Sequence, residues 1–397
     1  MNALLVDRVR ARLATDGREP TPAAVAEAVR AEAGGVASDL DVLAALRVLR
    51  EEFVGAGPLD ALLRDPRTTD VLVSGGGEVR VDRGAGLEPA EVRLPDEAAV
   101  RRLAQRLALA AGRRLDDASP YVDGWLVGSG VRLHAVLPPV AADGTCLSLR
   151  VLRPATHDLT SLSRLGTLDA TGERLLRAVV AARLAFLVSG GTGSGKTTVL
   201  GALLGVVDPA ERILTVEDAQ ELRPRHPHVV RLVARPANIE GAGGVPLRDL
   251  VRQALRMRPD RVVVGEVRGA EVCDLLSALN TGHDGGAGTV HANSVREVPA
   301  RMEALAALGG MDRPALHSQL AAAVQVVLHM RRLPRARVLE AVGVLVREPA
   351  GVSVRPVWER RTGWTADRQL LGELLADRAV PAPWADPPER SRDRSAS

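Results

Sequence analysis

The chain has 397 residues, 46% of them hydrophobic, and a formal net charge of +3 at pH 7. This length and apolar content predict two or three domains with buried cores, and so small a net charge does not require a nucleic-acid partner. Four tryptophans, one tyrosine and two phenylalanines are too few for the stacking platforms that single-strand binders use, so nucleic-acid binding is disfavoured, though not excluded.

The first part of the chain predicts a small helical module followed by a mixed α/β domain. Apolar residues recur near helical spacing over residues 1–54, and the glycines and proline at 55–58 interrupt that pattern. From there to residue 155, short β-type runs surround a helix predicted at about 96–112. We therefore assign residues 55–155 to a mixed α/β N-terminal domain.

The second part predicts a parallel sheet covered by helices on both faces. Three short apolar runs alternate with helical segments, which is typical of α/β proteins. Strand-like runs beyond residue 324 predict a β extension, so this domain is assigned residues 156–379. Residues 380–397 are rich in Pro, Arg, Asp and Ser and are predicted to be disordered. The three apolar runs are residues 185–188, 213–216 and 262–264.

A phosphate-binding loop follows the first of these runs. In the pattern GxxxxGK[ST], backbone N–H groups and a helix N-terminus bind phosphates, the lysine reaches the β- and γ-phosphates, and Thr197 binds Mg²⁺. Lys196 is the one lysine among 52 basic residues, which indicates a position where a compact ammonium cannot be replaced by a guanidinium. The guanine-reading motif Asn-Lys-x-Asp needs a further lysine, so we expect ATP. The loop reads Gly190-Gly191-Thr192-Gly193-Ser194-Gly195-Lys196-Thr197, followed by Thr198.

Two glutamates follow the other predicted strands. Glu217 comes after the run 213–216, and Glu266 after the run 262–264. The carboxyl ends of parallel strands form the edge at which open α/β sheets bind ligands. Phosphoryl transfer to water needs one carboxylate to orient or deprotonate the water and another to hold hydrated Mg²⁺. Both glutamates are candidates, and the sequence leaves open which of them is the general base.

Two histidines, His283 and His291, lie on either side of a glycine-rich turn. No third ligand at characteristic spacing supports a metal site, and each histidine alone is consistent with a structural role. Near a nucleotide, His291 fits a sensor of the γ-phosphate. Four arginines before Glu266 are equally consistent with a solvated basic face and with a subunit or phosphate contact. They are Arg252, Arg256, Arg258 and Arg261.

Cysteine usage and hydropathy indicate the cellular setting. Cys146 and Cys273 have no CxxC partner, so neither a zinc site nor a disulfide framework is predicted. We find no secretory leader pattern and no apolar run long enough to span a bilayer. We therefore expect a cytoplasmic protein.

Taken together, these motifs resemble the secretion ATPase superfamily of type II and type IV secretion systems and type IV pili. The CpaF-type ATPases of tight-adherence (Flp) pili, with relatives labelled conjugal-transfer-associated, are the most similar branch. The segments that carry the resemblance are Glu217-Asp218-Ala219-Gln220-Glu221-Leu222 (its Asp box), Gly265-Glu266-Val267-Arg268-Gly269 (its Walker B segment), and Thr281-Gly282-His283 through His291-Ala292-Asn293-Ser294 (its His box). The branch is indicated by the segments 255–261 and 280–285.

The resemblance implies a RecA-like P-loop ATPase domain behind the N-terminal domain, a homohexameric ring, and ATP and Mg²⁺ as cofactors. It implies a motor that works on inner-membrane platform proteins of a pilus or secretion system and is peripherally associated with the cytoplasmic membrane. A nucleic-acid translocase linked to conjugal DNA transfer is the alternative, and a scaffold that binds ATP but hardly hydrolyses it is a third class. The implied catalytic residues are Lys196, Glu217, Glu266, His283 and His291, the implied Mg²⁺ ligands are Thr197, Glu217 and Glu266, and the implied phosphate contacts from the N-terminal domain are Arg132 and Arg150.

Overall fold

The computed structural model describes residues 8, 9, 12, 22–32, 55–126, 129–152, 157–237, 241–334 and 336–384. The chain divides into two compact units, Met1–Arg153 and Pro154–Ser397. Most of the predicted helical module lies outside the described residues, which include one helix of it, α1 (Pro22–Glu32).

The N-terminal unit is built on a six-stranded antiparallel sheet in the order β3-β2-β1-β6-β5-β4. Alternate residues of β1 and β2 are buried, as expected for a sheet with one covered face. The covering helix, α3, packs its apolar face on the same core and begins at Asp96, whose side chain accepts a hydrogen bond from the Ala99 N–H at 2.7 Å. The strands are β1 (Asp70–Ser74), β2 (Glu78–Asp82), β3 (Leu87–Arg93), β4 (Tyr121–Leu126), β5 (Val131–Val136) and β6 (Cys146–Val151), and the helices are α2 (Asp60–Arg64) and α3 (Glu97–Ala110).

The C-terminal unit is built on a nine-stranded sheet in the order β15-β14-β13-β12-β7-β11-β10-β8-β9. The six strands from β12 to β9 in this order are parallel. The first run of the predicted β extension is β12, which pairs with β7 in the parallel sheet, and the strands that follow it add three antiparallel strands. The strands are β7 (Phe186–Gly190), β8 (Ile213–Glu217), β9 (Val229–Val233), β10 (Arg261–Val267), β11 (Ala287–Val290), β12 (Val326–Leu333), β13 (Ala336–Glu348), β14 (Gly351–Glu359) and β15 (Gly363–Trp364).

Helices cover both faces of this sheet, which explains why β7 and β8 are buried along their whole length. One face packs against α4, α5, α6 and α11, and the other against α7, α8, α9 and α10. The mixed α/β fold with a parallel sheet is thus confirmed. The helices are α4 (Leu159–Arg164), α5 (Ala170–Ala181), α6 (Lys196–Leu204), α7 (Leu247–Ala254), α8 (Glu271–Leu279), α9 (Val298–Leu308), α10 (Arg313–Ala323) and α11 (Arg368–Ala376).

The predicted disordered tail begins with packed residues. The Trp384 ring lies 4.5 Å from the Trp364 ring, measured between centroids, and covers Gly372 of α11. The remainder of that tail, residues 385–397, lies outside the described residues. In the described part of the chain, no helix combines the length and the hydropathy that crossing a bilayer requires.

Candidate nucleotide-binding site

The phosphate loop and three of the predicted site residues lie at one edge of the parallel sheet. The loop follows β7, Glu217 ends β8, Glu266 lies near the end of β10, and His291 follows β11. These strands are neighbours in the order β7-β11-β10-β8 and run parallel. Their carboxyl ends therefore bring the four features together, at the edge that the sequence predicted for the two glutamates.

The loop has a backbone that only glycine tolerates at its key positions. Gly190, Gly193 and Gly195 have φ angles of 146°, 68° and 94°, in the region that L side chains rarely adopt. A Cβ atom on Gly190 would lie 2.3 Å from the carbonyl oxygen of Met330 on β12. Arg337, which lies on β13, donates from its Nε atom to the carbonyl oxygen of Gly193 at 2.8 Å. The loop is thus held in a compact turn by the neighbouring strands.

Lys196 lies inside this turn. Its side-chain Nζ donates to the carbonyl oxygens of Gly190 and Gly191, each at 3.0 Å, and lies 3.3 Å from His291 Nε2. Only 7% of the residue is exposed, and burial lowers the pKa of the ammonium below its ordinary value. The ammonium lies at the N-terminus of α6. An anion would be bound there by the helix N-terminus and the N–H groups of the loop.

Glu266 and His291 join Lys196 in one charged cluster. His291 Nε2 lies 2.6 Å from Glu266 Oε1, and Arg268 donates to Glu266 Oε2. Burial works to raise the pKa of Glu266, but the hydrogen bond from Arg268 and the positive charges around the carboxylate bring the pKa below its ordinary value. Burial and the Lys196 charge lower the pKa of His291. Its Nε2 atom lies close to both Lys196 and Glu266 Oε1, and the tautomer of the ring decides whether Nε2 accepts from the ammonium or faces the carboxylate with its proton.

Glu217 has a different environment from Glu266. It is 3% exposed, and its Oε1 atom accepts hydrogen bonds from the N–H groups of Leu222 at 2.9 Å and Glu221 at 3.1 Å. Burial raises its pKa to about 7, although those two hydrogen bonds act in the opposite direction. Its side chain packs on Gly265, where a Cβ atom would lie 2.7 Å from Glu217 Cγ. Glycine at this position therefore makes room for the buried acid.

The donor atoms of the site fit a nucleotide and a hard cation. Ser194 Oγ and Glu217 Oε2 are buried without a hydrogen-bond partner among the described residues, so each is available to a ligand. Thr197 follows Lys196 in the first turn of α6. In the same part of the chain, no group of three His, Cys, Asp or Glu side chains forms a metal site by itself. Hydroxyl, carboxylate, phosphate and water oxygens are the ligands that Mg²⁺ prefers.

The structure does not bring His283 to this cluster. Its Nδ1 atom lies 3.0 Å from the carbonyl oxygen of Ala278, and it precedes β11, whereas His291 follows that strand. Next to it, Gly286 accepts a hydrogen bond from the N–H of Phe186, at the start of β7. His283 is therefore at the amino-terminal edge of the sheet, and the phosphate loop is at the other.

Arg132 and Arg150 lie in the N-terminal unit, directly opposite each other on β5 and β6. Arg132 donates to Asp123 at 2.9 and 2.6 Å, and Arg150 donates to Asp70 at 2.9 Å. Each aspartate offsets part of the repulsion between the two cations. Their predicted contact with phosphates stays a prediction.

Several functional candidates in the C-terminal unit were missed by the sequence reasoning. Glu271 follows Glu266 closely, and that proximity was an available signal; Arg268 was noted only as a member of the Walker B segment, with no role of its own. His329 lies beside the loop strand, with its Nδ1 atom 3.0 Å from Ser189 Oγ. Arg337 gave no signal, because it is 144 residues from its partner Gly193. Of the four arginines before Glu266, Arg261 is buried in an ion pair, so a solvated face does not describe it.

Comparison with known proteins gives a family match over most of the chain. The family model described as "Type II/IV secretion system protein" matches residues 52–356. A putative conjugal transfer protein of Mycobacterium tuberculosis strain H37Rv is 64% identical over 348 residues, which cover 86% of this chain and 99% of the relative. The probable conjugal transfer protein TrbB of Sinorhizobium fredii is 30% identical over 281 residues, 69% of this chain and 82% of that protein.

Among solved structures, the ATPase DotB of Legionella pneumophila matches 73% of this chain and 80% of its own, with 19% identity and a TM-score of 0.48. The pilus retraction motor PilT with bound ADP matches 79% of this chain and 87% of its own, with 20% identity and a TM-score of 0.47.

Proposed function

Because the chain belongs to the type II/IV secretion system protein family, we propose that it is an ATP-hydrolysing motor that powers pilus assembly or protein secretion through a membrane platform. In this proposal, copies of the chain form a homohexameric ring. The ring acts from the cytoplasmic side on inner-membrane platform proteins and is peripherally associated with that membrane.

One observation carries the catalytic part of the proposal: the loop lysine, a histidine and a glutamate are in contact at the carboxyl edge of the sheet. Lys196 Nζ, His291 Nε2 and Glu266 Oε1 follow one another at 3.3 and 2.6 Å. A γ-phosphate bound by Lys196 would therefore lie beside a carboxylate that can orient water and a ring that can sense the phosphate.

The different environments of the two glutamates favour a different chemical role for each. Glu266 is the more accessible, whereas Glu217 is 3% exposed and held by two backbone N–H groups. A general base must reach the attacking water, so we assign that role to Glu266. Glu217 and Thr197 would hold Mg²⁺ and its water ligands. When bound, the ion neutralises charge that develops on the phosphate oxygens.

Conversion of hydrolysis into work requires that the γ-phosphate favours one of two arrangements of the protein. Arg132 and Arg150 are proposed to supply phosphate contacts that exist in one arrangement only. Alanine at both positions should then reduce ATP turnover, measured as phosphate release. Unchanged turnover in the double variant would remove this role from both arginines.

A second candidate is a nucleic-acid translocase, which is favoured by the names of the conjugal transfer relatives. It predicts DNA-stimulated hydrolysis and DNA binding that weakens steeply as salt rises. The motor proposal predicts turnover that DNA does not change.

The test of the proposed function is phosphate release from Mg-ATP by the full chain, with GTP and duplex DNA as parallel arms. Glu266→Gln should lower turnover by about 10²- to 10⁴-fold, the usual contribution of a general base. The matched control is Glu91→Gln, an exposed acid on β3, which should leave turnover unchanged. Wild-type protein that binds ATP but does not hydrolyse it would favour the scaffold class.

A further inference from the structure

We infer that Arg337 is a positioning residue for nucleotide binding, which holds the phosphate loop in the conformation that aims the Ser194 N–H group at a bound phosphate. The inference rests on the proposed function, since it requires ATP in that loop. It gives the antiparallel extension of the sheet a part in the nucleotide site, because Arg337 lies on β13.

Arg337 contacts the phosphate loop at two glycines. Its Nε atom donates to the carbonyl oxygen of Gly193 at 2.8 Å, and its Cδ atom lies 3.4 Å from the position that a Cβ atom on Gly195 would take. The stem of the side chain therefore runs along Gly195 while the guanidinium bonds Gly193. Both glycines have positive φ angles, 68° and 94°, and glycine has the least steric restraint of any residue on its backbone. Arg337 thus restrains the two loop residues that are freest to change conformation.

The contact with Gly193 also sets the direction of the next N–H group, which belongs to Ser194. The carbonyl and N–H groups of one trans peptide unit lie in a plane and point in opposite directions. A Gly193 carbonyl held by Arg337 therefore turns the Ser194 N–H group to the other side of the chain. There its nitrogen lies 3.4 Å from the carbonyl oxygen of Gly191, which is long for a hydrogen bond. This donor is thus weakly satisfied within the protein and available to a stronger acceptor.

The Ser194 N–H group and the loop lysine point at the same atom. The Gly191 carbonyl oxygen, which the N–H group faces, also accepts a hydrogen bond from Lys196 Nζ at 3.0 Å. The two donors therefore converge on one region inside the turn. A phosphate oxygen carries more negative charge than a carbonyl oxygen, so it is the stronger acceptor for both donors. Arg337 acts on this region through the backbone of the loop, which makes it a positioning residue.

The position of Arg337 in the sheet supports a role at the loop. Arg337 lies directly opposite Arg332 in the antiparallel pair of β12 and β13. The Arg332 Nη1 atom lies 3.0 Å from the position that a Cβ atom on Gly193 would take, so both arginines of the pair adjoin the same glycine. Like charges at opposite positions do not favour strand pairing. Sheet stability therefore gives no reason for two arginines here, whereas an anion site beside them does.

Replacement of Arg337 by glutamine and by methionine separates the effect of the hydrogen bond from that of the charge. Glutamine places an N–H donor at the same distance along the side chain as the arginine Nε but carries no charge, whereas methionine keeps the stem without a donor. We expect Arg337→Gln to bind ADP and a non-hydrolysable ATP analogue within about threefold of wild type, and Arg337→Met to bind both about five- to tenfold more weakly. The two nucleotides should be affected equally, because the loop binds phosphates that both of them carry.

Steady-state kinetics of the same variants give a second readout. In Arg337→Met the KM for ATP should rise in proportion to the loss of affinity while kcat stays within about twofold of wild type, since the loop holds the phosphates equally before and during the reaction. Arg337→Ala, which also lacks the stem, should show the same split if the methionine variant does not fold. The matched control is Arg355→Met, because Arg355 is a half-exposed arginine on β14 that pairs with Glu348 at 2.8 Å. It should match wild type in affinity and turnover.

Three results would overturn the inference. A glutamine variant as impaired as the methionine variant would show that Arg337 acts by its charge. Wild-type affinity in Arg337→Met would show that the loop does not need the contact. A loss confined to kcat would place Arg337 in the chemical step and not in the positioning of the loop.

The inference and the proposed function fail in different ways. If wild type neither binds nor hydrolyses ATP, and Lys196→Ala is indistinguishable from it, the proposed function is wrong. If wild type is active, Lys196→Ala is inactive and Arg337→Met behaves as wild type, the inference alone is wrong.

Discussion

Strand β10 has an arginine–glutamate pair at each end, and the two pairs differ in burial and in the number of hydrogen bonds that the arginine makes. At its start, Arg261 is 1% exposed and makes two hydrogen bonds to Glu211 and one each to the carbonyls of Gly285 and Val180. At its end, Arg268 is half exposed and pairs with Glu266. A buried and satisfied pair fixes structure, whereas a pair whose arginine is half exposed contributes much less to stability. The amino edge of the sheet is therefore structural, and the carboxyl edge is available for chemistry.

The largest effect expected from this contrast is on stability. Arg261→Ala should lower the free energy of unfolding by about 3 kcal/mol, because it leaves buried acceptors and Glu211 with fewer partners. Arg268→Ala should change it by less than about 1 kcal/mol. Urea unfolding followed by tryptophan fluorescence suits this measurement, since three of the four tryptophans are in the C-terminal unit. Similar losses for the two variants would break the comparison.

A second effect concerns the buried acid at the carboxyl edge. The pKa of Glu217 is raised from 4.5 to about 7 by burial, so the folded protein keeps this proton over a range in which the unfolded chain has lost it. The free energy of unfolding should then fall by roughly 3 kcal/mol as pH rises from about 4.5 to about 7.

Glu217→Gln has no proton to lose at this position and should remove that part of the pH dependence. The measurement is unfolding between pH 4.5 and pH 7.5 in the presence of a chelator, for wild type and variant. The same pH slope in both proteins would show that Glu217 ionises normally.

The smallest expected effect is a difference in ATP turnover between the variants His291→Ala and His283→Ala. His291→Ala removes a contact with Glu266 and Lys196 and should lower ATP turnover by about ten- to 100-fold. His283→Ala, at the opposite edge, should change turnover by less than about threefold, since surface substitutions away from a site have small effects. A large loss on His283→Ala would restore the catalytic role that the sequence predicted for this residue.

Features that depend on a few neighbouring residues were predicted well from the sequence. The phosphate loop, Glu217 and Glu266 each combine a short buried strand with the residues that follow it, and parallel pairing then places them at one edge. The helix predicted at about 96–112 agrees with α3 (Glu97–Ala110), because apolar residues at helical spacing indicate a helix with one covered face.

Features that depend on distant pairing or on strand length were not predicted. The separation of His283 from His291 follows from β11, since residues before and after a strand lie at opposite edges of a sheet. Arg337 reaches the loop only because β13 pairs with β12, far along the chain. The burial of Arg261 had no local signal in a chain so rich in arginine, and neither did the packing of Trp384 on α11.

The central claim is that Lys196 binds the phosphates of ATP in a loop that accepts only a compact ammonium. Phosphate release by Lys196→Arg tests it most directly, because this substitution keeps the charge and changes the shape of the cation. We predict that Mg-ATP turnover is lost in this variant, while its free energy of unfolding falls by no more than the roughly 1–3 kcal/mol that an oversized side chain costs at a buried position. Turnover close to that of wild type would contradict the account.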